Sequence, residues 1–112
     1  MEGINTGPNY RTKAYKRIQN QNWEDVGTGY LNVLRNENEF RLNIIYEGDD
    51  TTVLLDSVIE KETVYIQESG TLIVWKQQTD DSLDYAISFQ SSHECQQVWQ
   101  YISEIQHGSY NN

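Results

Sequence analysis

Hydrophobic and polar residues alternate along most of this chain, in short runs separated by polar turns. Phe40-Arg41-Leu42-Asn43-Ile44 has a period of two, which predicts a half-buried strand over Phe40 to Tyr46 with Phe40, Leu42 and Ile44 inward. Leu83 to Phe89 carries a large apolar residue at every odd position, again a strand. Arg11 to Ile18 alternates less cleanly, with Thr12, Ala14 and Lys16 on one side and Lys13, Tyr15 and Arg17 on the other. Tyr30 to Leu34, Thr52 to Asp56, Thr63 to Ile66 and Thr71 to Trp75 complete a set of six or seven short strands. Turn composition separates them at Gln19-Asn20-Gln21-Asn22, Arg35 to Glu39, Glu47-Gly48-Asp49-Asp50, Glu60-Lys61-Glu62, Ser69-Gly70 and Thr79-Asp80-Asp81. Trp23 followed by Gly27-Thr28-Gly29 predicts a sharp bend between one strand and the next.

The period changes after Phe89. Ser91 and Glu94 have the spacing of a capping box, in which the serine accepts from a helix amide and the glutamate reaches back to the serine N–H. Cys95, Val98, Trp99, Ile102 and Ile105 then form one apolar stripe, while Gln96, Gln97, Gln100 and Glu104 take the wet face. Hairpin-spaced strands followed by one amphipathic helix predict a mainly β fold: an antiparallel sheet curls into a barrel and the C-terminal helix plugs its open end. Each large side chain of the stripe contributes about 1.5–3 kcal/mol when buried.

A chain of 112 residues is one domain, large enough to close a core without disulfides or metal. The expected division is a flexible lead-in over residues 1–10, the domain over 11–106 and a frayed exit over 107–112. Cys95 has no cysteine partner, which excludes a disulfide-held secreted scaffold and fits the reducing nucleus and cytoplasm. There is no apolar run long enough to span a membrane as a helix, and the N-terminus lacks the pattern of a secretory signal. The net charge of -9, from 17 acidic and 8 basic residues, opposes nucleic acid and anionic membranes and favours a neutral or basic partner. Four of the basic residues, Arg11, Lys13, Lys16 and Arg17, cluster within the first strand.

No catalytic constellation emerges, so the chain is read as a non-enzyme with no cofactor. His93 and His107 lack metal-ligand spacing, and Cys95 sits on the apolar stripe, where a thiol is inert. Asp49-Asp50 and Asp80-Asp81 are carboxylates in turns with nothing to fix a partner for acid–base work. Gly27-Thr28-Gly29 lacks the further glycines and the following helix of a phosphate-binding loop. The remaining candidates are aromatic. Trp99 belongs to the helix stripe and Tyr65 to packing, whereas Trp23 and Trp75 are open to either core or surface.

Several of these motifs occur together in one known family. Tyr15 on a strand, Trp23 in Trp-x-x-x-Gly-Thr-Gly, Thr71-Leu72-Ile73-Val74-Trp75, a strand ending Ile87-Ser88-Phe89-Gln90, and a last helix with Cys95 and Val98-Trp99 resemble the N-terminal domain of regulatory subunit 3 of protein phosphatase 4, the SMEK/Falafel family. The resemblance covers Arg11 to Gln106. It implies an EVH1 domain of the pleckstrin-homology-like superfold, with seven strands in an antiparallel barrel capped by the helix. It further implies recognition of short motifs combining phenylalanine and proline, with the phosphatase catalytic and scaffold subunits reached through the full-length chain; separately, the sequence carries no sign of a homo-oligomer, so the domain is expected to be monomeric. Carried over by position, the peptide-binding residues are Tyr15, Trp23, Leu72 and Trp75, with leucine at Leu72 where the family cluster usually has phenylalanine. Leu72 and Trp75 are three apart and should face opposite ways on a regular strand, so either a bulge re-aims one or only one lies in the groove. Two alternatives stand beside this reading: a Ran-type GTPase-binding domain, which shares Trp-x-x-x-Gly-Thr-Gly and the superfold, and a phosphoinositide-binding domain using Arg11, Lys13, Lys16 and Arg17.

Overall fold

The computed structural model describes residues 3–77 and 82–108. Among these residues, eight strands and one helix follow one another: β1 (Ile4–Asn5), β2 (Arg11–Ile18), β3 (Glu24–Asn36), β4 (Glu39–Tyr46), β5 (Val53–Val58), β6 (Ile66–Glu68), β7 (Leu72–Lys76), β8 (Leu83–Phe89) and α1 (Ser92–Gln106). Seven of the strands form an antiparallel path in the order β5-β4-β3-β2-β8-β7-β6, and β1 pairs with β3 beside it. Two meanders, β2 to β5 and β6 to β8, are therefore joined where the first strand meets the last. Inward residues of both, including Leu31, Val33, Leu42, Ile44, Leu55, Ile73 and Ile87, make the core with Cys95, Val98 and Ile102 of α1. This is the helix-capped antiparallel architecture that the alternation predicts.

Three details depart from the sequence reading. First, Gly27-Thr28-Gly29 is not a bend but the interior of β3. The register against β2 moves from Ala14 opposite Gly27 to Tyr15 opposite Asp25, so Val26 is an extra residue and the strand bulges there. Gly27 takes φ +133, and a Cβ on Gly29 would stand 2.0 Å from the Ile45 carbonyl oxygen. The glycines thus serve a bulge and a close strand approach.

Second, the lead-in is held down where the structure describes it. Ile4 and Asn5 pair with Arg35 and Leu34, the Thr6 amide donates to the Val33 carbonyl at 2.8 Å, and Tyr101 of the helix donates to the Thr6 carbonyl at 3.0 Å. Met1, Glu2 and residues 109–112 lie outside the described residues, as does the expected turn Thr79-Asp80-Asp81.

Third, the strand expected at Thr63 to Ile66 begins only at Ile66. The Gln106 amide of the helix occupies the Thr63 carbonyl at 2.7 Å and the Glu60 carbonyl at 2.9 Å, so this stretch is satisfied by the helix rather than by a neighbouring strand. At the other end of α1, Ser91 accepts from the Glu94 amide at 3.2 Å as expected. The reciprocal half of the box is absent: Glu94 Oε1 is buried without a partner among the described residues.

Candidate functional site

The outer face of β2, β8, β7 and β6 carries three transverse rows of side chains, because antiparallel registers place every second residue side by side. One row is Lys13, Ser88, Leu72 and Glu68; the next is Tyr15, Ala86, Val74 and Ile66; the third is Arg17, Asp84 and Lys76. Small residues at Ala86 and Ser88 fall between Tyr15 on one side and Leu72 and Val74 on the other. The result is a trough of about 540 Å³, lined by Tyr15, Arg17, Trp23, Glu68, Thr71, Leu72, Val74, Ala86 and Ser88.

Trp23 closes one wall. It stands just before β3, 38% exposed, and the Arg17 guanidinium lies over its ring at 4.5 Å from the centroid. Such a cation over an indole is attracted by the ring quadrupole. Arg17 is itself anchored, by Nη2 at 2.7 Å and Nε at 2.9 Å from Asp84 Oδ2, while Lys76 Nζ sits 2.9 Å from Asp84 Oδ1. Burial pushes the Asp84 carboxyl upward, but the hydrogen bonds and charges of Lys76 and Arg17 outweigh it and hold the group below the usual carboxylate range.

Tyr15, Trp23 and Leu72 are brought together; Trp75 is not, and its assignment to the peptide-binding set is corrected. It is 2% exposed on the opposite face of β7, tilted against Tyr65 at 5.3 Å and Tyr85 at 5.7 Å. Its Nε1 donates to Ser57 Oγ at 3.1 Å inside the core. β7 is regular, paired residue for residue with β8, so no bulge re-aims either member and three steps separate opposite faces. Trp99 packs half-buried against the core and donates toward the Tyr65 carbonyl at 3.4 Å, and Tyr65 is buried, both as expected.

The sequence did not single out Thr71, Val74, Ala86 or Ser88, nor Arg17 and Glu68 as members of this site. The signal for Ala86 and Ser88 was the small even positions of the last strand, which become informative only when β8 is known to lie between β2 and β7.

The basic cluster is largely committed to carboxylates. Arg11 makes two hydrogen bonds to Glu47, at 2.7 and 3.0 Å, and Lys13 Nζ sits 2.8 Å from Asp25 Oδ2. Hydrogen bonding to Arg11 holds Glu47 below its ordinary value, and Lys13 does the same for Asp25. With Arg17 on Asp84, three of the four cations proposed for a phosphoinositide already have anionic partners. No group of three or more His, Cys, Asp or Glu residues suited to a metal ion occurs among the described residues. Cys95 is buried, which raises its thiol pKa, and Gln67 Nε2 lies 3.7 Å from its sulfur. Among the described residues no helix is long and apolar enough to cross a membrane.

Comparison with known proteins agrees with the motifs. A family model described as the EVH1-like domain in PP4R3 protein matches residues 9–109. The chain is 31% identical over 104 residues to serine/threonine-protein phosphatase 4 regulatory subunit 3 of Drosophila melanogaster, covering 92% of this chain and 10% of that protein. It is 32% identical over 97 residues to Suppressor of Mek1 of Dictyostelium discoideum, covering 86% and 9%. An uncharacterized Schizosaccharomyces pombe protein is 34% identical over 97 residues, covering 86% and 11%. The chain therefore spans about a tenth of the length of these relatives. Among solved structures, the Ran-binding domain of the nuclear pore component NUP2 from Ashbya gossypii matches with a TM-score of 0.72 at 17% identity, over 88% of this chain and 93% of that one. That likeness shows the fold, which is pleckstrin-homology-like. With the family model covering nearly the whole chain and its motifs in place, this protein belongs to the EVH1-like domains of phosphatase 4 regulatory subunit 3.

Proposed function

We propose that the domain is a non-catalytic docking module that binds short proline-containing peptides with an aromatic anchor and recruits substrates or scaffolds to phosphatase 4. The observation that carries this reading is the convergence of Tyr15, Trp23 and Leu72 on one open trough on the outside of the sheet. An apolar wall suits proline, whose φ is already fixed, so docking an extended or polyproline II segment costs little conformational entropy. The indole N–H of Trp23 supplies a donor for a peptide carbonyl that such a segment leaves unpaired. A few contacts of this kind correspond to micromolar affinity, about 8 kcal/mol, which suits reversible docking.

Catalysis then belongs to another chain, and the phosphatase catalytic and scaffold subunits are met through the longer protein in the nucleus and cytoplasm. The peptide site takes Tyr15, Trp23 and Leu72, with no metal or cofactor.

A two-dimensional amide and indole NMR titration tests the reading, using a short peptide with one phenylalanine and one proline beside a control with both changed to alanine. Saturable shifts at the Trp23 indole and at Leu72, Val74 and Ala86 for the first peptide alone are expected. Trp23→Ala should weaken binding by about 2 kcal/mol, roughly thirtyfold, with the fold intact. Equal binding by the variant removes Trp23 from the site. No shifts with either peptide, together with GTP-dependent capture of a Ran-type GTPase, would turn the reading toward a folded partner.

A further inference from the structure

Asp84 is an unusual residue for the outer face of a sheet. It is 4% exposed, and both carboxylate oxygens are taken by cations, Oδ2 by Arg17 and Oδ1 by Lys76. Those two cations reach it from opposite sides, since Arg17 on β2 and Lys76 on β7 are its register neighbours on β8. Of the two, Arg17 goes on to cover the Trp23 ring.

Trp23 lies outside the buried core, 38% exposed. It stands in the connection from β2 to β3, after a turn in which Gln19 and Asn20 adopt positive φ of 52° and 61°, and before β3 begins at Glu24. Its ring lines the trough beside Tyr15, with the Arg17 guanidinium over its face. An indole in that position would sample several rotamers, and each one ordered on ligand binding would reduce affinity.

We infer that Asp84 is a positioning residue for the trough, holding the Arg17 guanidinium over the Trp23 indole so that the wall of the peptide site is set before a ligand arrives. This inference rests on the docking reading above only for its consequence; the ordering of Trp23 belongs to the unliganded domain. The chemistry explains the choice of residues. A guanidinium presents a planar fork, so it can bind a carboxylate along one edge and lie over an aromatic ring with its face. A lysine ammonium can satisfy Asp84 but has no face to offer. Lys76 on the far side neutralises the second oxygen, so that the carboxylate remains ionised although it is sheltered from water.

The test uses the whole chain, with ¹⁵N relaxation of the indole N–H groups measured without ligand and peptide affinity measured separately. In Asp84→Asn and in Arg17→Lys the Trp23 indole order should fall toward that of a mobile side chain, while the Trp75 and Trp99 indoles stay unchanged. Affinity for the phenylalanine–proline peptide should fall about five- to tenfold in both. Arg17→Lys is the discriminating variant, because it preserves the charge opposite Asp84; a merely structural ion pair would survive it. The double variant should be no worse than Asp84→Asn alone.

A Trp23 indole equally ordered in wild type and folded variants overturns the inference. Should Asp84→Asn fail to fold, Arg17→Lys decides alone. If the wild-type domain binds no peptide, the docking reading fails, and the relaxation data still decide whether Asp84 and Arg17 order Trp23.

Discussion

Replacing Trp75 by alanine should cripple stability, whereas a peptide-contact residue would lose only binding. The indole is 2% exposed, tilted against Tyr65 and Tyr85, and hydrogen-bonded to Ser57 Oγ at 3.1 Å. Truncating a buried tryptophan to alanine costs about 3–5 kcal/mol through lost burial and the cavity left behind. The two ring contacts and the hydrogen bond keep this site away from the low end of that range, at about 4 kcal/mol. Against a total stability of about 5–15 kcal/mol, such a loss leaves a weakly folded domain. Trp75→Phe gives the graded measurement. It keeps one ring against Tyr65 and Tyr85 but removes the Nε1 donor and part of the volume, for a cost of about 1.5–2.5 kcal/mol. The Ser57 hydroxyl still has Gln77 Oε1 at 2.9 Å, which limits the polar part of that cost. In urea titrations followed by far-ultraviolet circular dichroism, with a slope of about 1.5 kcal/mol/M, the midpoint should fall by about 1–1.7 M for phenylalanine and by about 2.5 M or more for alanine. Peptide affinity of folded Trp75→Phe should equal wild type. An unmoved midpoint accompanied by lost peptide binding would refute the burial argument and return Trp75 to the ligand face.

Two further predictions concern the scaffold. Gly29→Ala would place a Cβ 2.0 Å from the Ile45 oxygen and 2.6 Å from its carbon, backbone atoms that cannot rotate away. The β3–β4 pairing must part there, at a cost of about 2–4 kcal/mol, whereas Gly70→Ala, whose φ is +73 with only Ser92 Cβ near at 3.9 Å, should cost about 1–2 kcal/mol; urea midpoints of the two variants check the order. Acid should destabilise the domain over a low window. Hydrogen bonds from the Thr52 hydroxyl and from the Thr52 and Thr51 amides pull Asp49 down to about 2, and Asp84 is also held below its ordinary value. The unfolded chain therefore binds more protons there, so the contribution is complete above about pH 5 and is lost as pH falls toward about 2. Midpoints measured between pH 7 and pH 2.5 should fall only below about pH 5, and Asp49→Asn should shrink that fall; a slope that Asp49→Asn leaves unaltered contradicts the assignment.

What the sequence determined by itself is local and periodic. Alternation at Phe40 to Ile44 and Leu83 to Phe89 set which side chains face inward, because a strand's side-chain period is two whatever its neighbours are. The stripe from Cys95 to Ile105 and the Ser91 cap located the helix for the same kind of reason. Family motifs supplied Tyr15, Trp23 and Leu72, and the alternation rule already placed Leu72 and Trp75 in conflict. Tertiary structure alone decided that conflict. It turned on whether β7 carried a bulge, and regular pairing with β8 sent Trp75 into the core. Long-range register likewise decided that Ala86 and Ser88 lie between Tyr15 and Leu72, residues separated by about half the chain. The use of the glycines followed from pairing too: Gly27-Thr28-Gly29 reads as a bend in isolation but serves a bulge against β2 and a close approach to β4. Asp84 looked like any polar residue on an alternating strand. Its role between Arg17 and Lys76 exists only because the sheet brings the second and the seventh strands to either side of the eighth, a juxtaposition that no local pattern encodes.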